Sequence, residues 1–232
     1  MQARVEVAAI DAVMVAFEAR VDLAINQAVH QFAAQLKQAN PSWLRDIVPA
    51  YHSAMVVYDI HQTDLPSVTR YIEQLLHQPS EQQHNLTSAQ HRFKVCYEAP
   101  YAPDMPRVME HTGLSAAQII ALHSAREYHV YTVGFAPGFA YLGDVDERIQ
   151  TPRLATPRSK VPAGSVAIAN QQTAIYPRTS PGGWNLIGRV ANWDMNPNEN
   201  LGLAIQADDS VVFEVISAAE FAALEAQQRA LS

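Results

Sequence analysis

All nine glycines of this chain lie from Gly113 onward, and all nine histidines lie at or before His129. Glycine opens left-handed and strained backbone conformations, so a long glycine-free stretch is confined to ordinary helices, strands and turns made by proline, asparagine or serine. The remainder has the freedom for frequent tight turns. Two differently built parts follow, and 232 residues with 48% apolar content suffice for packed cores.

In the first part, VEVAAI and VMVAF are short apolar runs that read as strands. Ile25, Val29, Phe32 and Leu36 recur at spacings of four, three and four, one face of an amphipathic helix. WLRDIVPA and SAMVVYDI read as two further strands, and Val68, Ile72, Leu75 and Leu76 mark a second helix after Pro66. The order ββαββα predicts a small α+β sandwich over residues 1–80, with helices covering one face of an antiparallel sheet. SEQQHNLTSAQHR is polar and aperiodic, which places a linker at residues 81–92.

Residues 93–232 read as a mainly β domain with two short helices and a C-terminal one. RFKVCYE alternates as a strand. The first short helix has Asp104 as its cap and Gly113 at its left-handed end; the second, roughly Ala116 to Ala125, is opened by the capping box of Ser115 and Gln118. EYHVYTVGF, GSVAIAN, TAIYP, GWNLIGRV, NLGLAIQ and SVVFEVI are short strands punctuated by glycine and proline, the pattern of a β-barrel or sandwich. SAAEFAALEAQQRAL closes the chain as a helix.

The net charge of −7 argues against general nucleic-acid binding. No window holds the roughly 20 apolar residues of a membrane helix, and Arg4, Glu6 and Asp11 interrupt the start where a signal peptide is apolar, so a cytoplasmic protein is expected. The single cysteine, Cys96, excludes an intrachain disulfide and reads as a small strand residue among Phe93, Val95 and Tyr97. From Arg148 to Trp193 there is no acidic residue, while Arg148, Arg153, Arg158, Lys160, Arg178 and Arg189 fall inside. Two readings stand: these cations pair with carboxylates elsewhere, or they converge on a carboxylate or phosphate, which the arginine fork matches.

Three punctuated loops belong to this region. In GFAPGFAYLG, residues 134–143, Phe135 continues the alternation of Tyr131 and Val133 and is expected to fill a barrel corner, whereas Phe139 and Tyr141 are expected at the rim of a pocket or partner surface. Ser180-Pro181-Gly182-Gly183-Trp184 either offers backbone N–H groups to an anion or simply turns the chain. Thr151-Pro152-Arg153 and Thr156-Pro157-Arg158 each set a stiff proline beside a guanidinium. Rigid backbone, apolar walls and cations together compose a small-molecule pocket. His123, on the apolar stripe of its helix with Ala116 and Ile119, is either a core residue fixing a neighbouring loop or a proton carrier near neutral pH. With no H-E-x-x-H or C-x-x-C, no metal centre is expected. Neither G-x-G-x-x-G nor G-x-x-x-x-G-K-[ST] occurs, so any ATP contact is of another kind, and no G-x-S-x-G marks a serine hydrolase.

LHSAREYHVYTVGFAPGFAYLG, followed by TPRLATPRSKVPAGSVAIANQQTAIYPRTSPGGWNLIGR, closely resembles the family of the 5-oxoprolinase B subunit, also described as allophanate hydrolase subunit 1 and kinase A inhibitor. The resemblance runs from about Phe93 to Val215 and is looser over the first 80 residues. It implies an α+β N-terminal domain followed by a mainly β, cyclophilin-like barrel domain. It also implies two partners, a 5-oxoprolinase C subunit resembling biotin-dependent carboxyltransferases and an A subunit, and an ATP-dependent opening of 5-oxo-L-proline to L-glutamate by the complex. The matching motif positions include His123, Arg153 and Arg158 without assigning them roles; from the acid-free basic segment, Arg153, Arg158, Lys160 and Arg178 are the expected anion site, and His123 is the expected proton handler. Phe135, Pro137, Gly138, Phe139, Tyr141, Ser165, Tyr176, Pro181, Gly182, Gly183 and Trp184 are the expected pocket or interface. The alternatives are a regulatory module that inhibits a sensor histidine kinase, or an accessory component in allophanate or urea metabolism. The chain departs from the family pattern where Glu98-Ala99 replaces a glycine pair, Ala140 replaces a proline, and Ala167 to Gln172 replace a glycine-rich stretch. Those positions are expected to alter backbone approach to a ligand.

Overall fold

The computed structural model describes residues 3–78, 88–193 and 205–231. The chain divides into two compact units, Met1–Thr87 and Ser88–Ser232. The first contains strands β1 (Arg4–Ala9) and β2 (Ala12–Ala16), helix α1 (Leu23–Ala39), strands β3 (Leu44–Pro49) and β4 (Ser53–Tyr58), and helix α2 (Leu65–His77). Its antiparallel sheet runs in the order β1-β2-β4-β3. Val13 pairs with Val56 and Val15 with Ala54, so period-2 alternation gives the sheet one buried face. Ile25, Val29, Phe32 and Leu36 of α1 and Val68, Ile72 and Leu75 of α2 share that core. Each such side chain contributes roughly 1.5–3 kcal/mol by burial. Without glycine, the helix ends use other residues. Asp22 accepts the Ile25 N–H to start α1, and Asn40 takes the left-handed conformation (φ 40°) that ends it.

The second unit contains β5 (Gln90–Cys96), α3 (Met105–Thr112), α4 (Ala116–Ser124), β6 (Glu127–Val133), β7 (Ala140–Gly143), a 3₁₀ turn (Glu147–Ile149), β8 (Arg158–Val161), β9 (Ser165–Ala169), β10 (Gln172–Ile175), β11 (Ser180–Gly182), β12 (Asn185–Val190), β13 (Ser210–Ile216) and α5 (Ala218–Leu231). Seven strands close into a barrel in the order β10-β7-β6-β13-β5-β12-β9. β13 joins the ends of the unit, lying parallel to β5 from Ser210 opposite Gln90 to Ile216 opposite Cys96, and antiparallel to β6. Phe93, Val95, Val130, Leu142, Val166, Ile168, Ile187 and Phe213 fill the core, joined by Val108 of α3 and Ile119 of α4. Cys96 is buried, and burial raises its thiol pKa.

Several details differ from the sequence reading. β5 starts at Gln90, inside the stretch read as linker, while residues 79–87 lie outside the described residues. Most of NLGLAIQ, residues 200–204, also lies outside them. The capping box of Ser115 and Gln118 forms, but Asp104, at the head of α3, makes no capping bond. β7, β8 and β11 are only three or four residues long, too short for a period to show. β8 and β11 pair as a two-stranded ribbon separate from the barrel.

The family departures take ordinary structural roles. Ala140 opens strand β7 opposite Val133 and is buried. Ala167 and Ala169 are buried in β9, and Asn170 supplies the positive φ (51°) of the following turn. Glu98 accepts the Ala218 N–H at 3.1 Å and so holds the start of α5.

Candidate functional site

GFAPGFAYLG is a β-hairpin end: β6 enters it, β7 leaves it, and Gly134 N–H donates to Phe139 O at 3.0 Å. Phe135 and Gly138 take positive φ, 69° and 77°, and the left-handed step at Phe135 turns that ring outward. Phe135 is 70% exposed and Phe139 only 3%, the reverse of the expectation from alternation.

Phe139 is the hub of an aromatic cluster. Its ring meets Tyr141 at 4.8 Å, Tyr176 at 5.4 Å and Trp184 at 5.8 Å between centroids, all edge-on. Such contacts contribute about 0.5–1.5 kcal/mol each beyond burial. Arg153 stacks over Trp184 with Cζ 5.5 Å from the ring centre, a cation–π contact. GFAPGFAYLG, the first T-P-R turn and the SPGGW loop therefore share one wall.

The second T-P-R turn reaches the same place through the ribbon, where Arg158 of β8 stands opposite Gly182 of β11. Leu154 N–H donates to Gly183 O at 2.7 Å. Asn185, fully buried, donates to the Pro152 and Ile168 carbonyls and accepts from Arg107 Nε. A Cβ on Gly182 would lie 2.2 Å from the Tyr176 hydroxyl, so only glycine lets the loop lie on that side chain.

Of the cations, Arg148 pairs with Asp146 at 2.9 Å, whose carboxyl is held far below its usual range chiefly by hydrogen bonds from Arg148. Arg158 pairs with Asp104 at 2.5 Å through Nη2. Its Nη1 is buried with no hydrogen-bond partner among the described residues, a deficit of roughly 1–3 kcal/mol. Arg153, Lys160 and Arg178 are exposed and form no ion pair among the described residues. Burial raises the Tyr176 pKa, offset by a Trp184 backbone hydrogen bond and the charges of Arg153 and Arg158. Burial also raises that of Tyr141, offset by Arg153. The two arginines and two tyrosines thus form one electrostatic neighbourhood.

His123 lies elsewhere. It is fully buried, with Nδ1 2.8 Å from Tyr97 Oη and Nε2 2.9 Å from Thr173 Oγ1. Thr173 donates its hydroxyl proton to Ala167 O, so its oxygen accepts from His123 Nε2–H, and Nδ1 accepts from Tyr97. Burial lowers the His123 pKa to about 3, and the ring stacks on Phe213 at 4.9 Å. A neutral imidazole with both nitrogens engaged ties the residue that follows β5 to β10. The structure thereby favours the core reading over the proton carrier. Ser165 is likewise buried, while Pro137 and Pro181 are exposed on their loops. The sequence reading missed Asp104, Asn185 and Arg107, whose partners are remote in the chain. Among the described residues no group of three His, Cys, Asp or Glu side chains is placed to hold a metal ion.

Residues 3–201 match the family described as carboxyltransferase domain, subdomain C and D. The chain is 35% identical to the B subunit of 5-oxoprolinase from Bacillus subtilis over 220 residues, 90% of this chain and 91% of that protein. The crystal structure of TTHA0988 is similar with a TM-score of 0.76 and 32% identity over 89% of this chain, which spans only 40% of that longer one. The urea amidolyase of K. lactis, at 15% identity and a TM-score of 0.74, covers 97% of this chain with 15% of its own length, a likeness of fold alone.

Proposed function

The chain belongs to the family of the 5-oxoprolinase B subunit, within the carboxyltransferase subdomain C and D proteins, and on that premise we propose that it is the B subunit of an ATP-dependent 5-oxoprolinase. The observation that carries the reading is the end-to-end likeness to a protein of that name. In this reading the barrel is of the cyclophilin-like kind, the protein is cytoplasmic, and it acts with the C and A subunits to convert 5-oxo-L-proline to L-glutamate.

The chemistry explains the composition of the site. An unstrained lactam resists water because its amide is resonance-stabilised. Transfer of the ATP γ-phosphoryl group to the lactam oxygen makes the ring carbon electrophilic. ADP leaves at that transfer. One water then adds to the ring carbon, and the C–N bond breaks with the nitrogen taking a proton to leave an acyl phosphate. A second water releases phosphate and gives the new carboxylate of glutamate. Every species on that path carries a carboxylate or phosphate, for which Arg153 and Arg158 are the proposed ligands, with Lys160 and Arg178 adding positive field. Tyr141 and Trp184 supply an apolar wall for the small ring. His123, sealed in the barrel, acts by tying the residue that follows β5 to β10. Phe135, exposed at the hairpin tip beside Pro137, is the proposed contact for the C subunit.

Reconstitution of the chain with the A and C subunits, followed by glutamate release from 5-oxo-L-proline and ATP, tests the reading. Release that depends on this chain is expected, and no release from the complete mixture would sink it. Full activity of the Arg153→Ala, Arg158→Ala double variant would overturn the arginine assignment alone. The exposed Phe135 also fits a second reading, a regulatory module docked on a histidine kinase. Recovery of a kinase in place of the C subunit in a pull-down would favour it.

A further inference from the structure

Asp104 stands where a helix-capping residue normally spends its carboxylate on the first turn, yet it makes no such bond. Its N–H donates to Leu186 O at 3.0 Å and its Oδ2 accepts the Leu186 N–H at 2.7 Å, so the carboxylate is pinned to the backbone of β12. Its Oδ1 takes Arg158 Nη2. Asp104 is 5% exposed, a depth at which a carboxylate needs its partners.

The pair is joined at one point only. Arginine and a carboxylate that meet solely to neutralise each other commonly do so through two parallel hydrogen bonds. Here Nη2 is engaged, while Nη1 is buried and has no partner among the described residues. Because the guanidinium is planar and rigid, fixing Nη2 also fixes the direction in which Nη1 points. The positive charges of Arg153 and Arg158 both act on the Tyr176 hydroxyl, and Asp104 is the acidic partner of Arg158 at this place. One cation is anchored by an acid, and the other lies over the Trp184 ring with no ion pair among the described residues.

We propose that Asp104 is a positioning residue that holds Arg158 so that Nη1 binds one oxygen of an oxyanion. The identity of that oxyanion, a substrate carboxylate or a nucleotide phosphate, rests on the oxoprolinase reading. Nη1 is covered, so the anion reaches it with a small displacement of its cover. The β8–β11 ribbon that carries Arg158 is interrupted by a register shift between Ser180 and Gly182, which breaks its ladder locally.

The test is calorimetric titration of the full chain with 5-oxo-L-proline and, separately, with ATP. Saturable binding of one of them is expected, with Kd raised about tenfold or more in Asp104→Asn, which keeps the shape but not the charge, and in Arg158→Lys, which keeps the charge but not the fork. The probe that binds distinguishes carboxylate from phosphate. Circular dichroism confirms folding; if Asp104→Asn does not fold, Asp104→Glu takes its place with the same expectation. In the reconstituted complex the KM of the bound species rises by the same factor, with kcat changed less than about twofold. A folded Asp104 variant that binds both probes like wild type, or wild type that binds neither, overturns the proposal. Binding that is lost in Asp104→Asn while the complete complex releases no glutamate would sink the oxoprolinase reading and leave the positioning role standing.

Discussion

Phe135 and Phe139 share one hairpin loop, and the backbone decides which is buried. Tyr131, Val133 and Phe135 alternate in sequence, yet their exposures are 1%, 37% and 70%. The register of β6 on β7 shifts between Val130 and Thr132, and Phe135 takes positive φ, so the period-2 rule fails after Tyr131. Phe139→Ala is expected to lower stability by about 3–5 kcal/mol and Phe135→Ala by less than about 0.5 kcal/mol, as read by urea denaturation. Equal losses would contradict the assigned orientations. His123 gives a second prediction at this scale. Its pKa lies near 3 when folded, against an ordinary value of 6.5, so between those limits the unfolded chain binds the extra proton. The contribution is full above pH 6.5 and falls as pH drops, reaching a loss of about 2 kcal/mol at pH 5. The difference in stability between wild type and His123→Gln is expected to shrink by that amount from pH 7 to pH 5. A constant difference would mean that the histidine is protonated inside the barrel.

The ribbon of β8 and β11 is the element that assembles the candidate site, joining the second T-P-R turn to the SPGGW loop. Its glycines are not equivalent. A Cβ on Gly182 meets the Tyr176 hydroxyl at 2.2 Å, whereas one on Gly183 meets Pro157 no closer than 3.5 Å. Gly182→Ala is expected to cost about 1–3 kcal/mol by overpacking, and Gly183→Ala clearly less; thermal melts that reverse this order would contradict the packing. At the other end of the unit, Glu98→Ala removes the acceptor at the start of α5. A loss of about 1 kcal/mol is expected, measured as a lower melting temperature, and no loss would leave the glutamate without a structural role. The aromatic loops and the arginines were legible as a pocket composition. The ribbon was not, because strands this short carry no period.

Across the whole molecule, an acidic chain keeps one acid-free basic segment, and the structure sorts its cations by their partners. Arg148 and Arg158 are joined to Asp146 and Asp104, while Arg153, Lys160 and Arg178 remain exposed without an ion pair among the described residues. Because exposed charges are screened over about 10 Å at 0.1 M salt, binding of a small anion here is expected to weaken as salt rises. An affinity independent of ionic strength would place the anion elsewhere. Helical and strand periods and the glycine boundary marked out a helix-and-sheet region followed by a barrel or sandwich, since these are properties of neighbouring residues. The strand pattern left barrel and sandwich both open, and the family resemblance implied the barrel that the structure shows; only the tertiary structure decided that His123 is sealed within it and that Asp104 spends its carboxylate on Arg158 and Leu186. Those last partners lie 54 and 82 residues away. No local pattern names a partner across such a distance; the closure of the barrel brings them together.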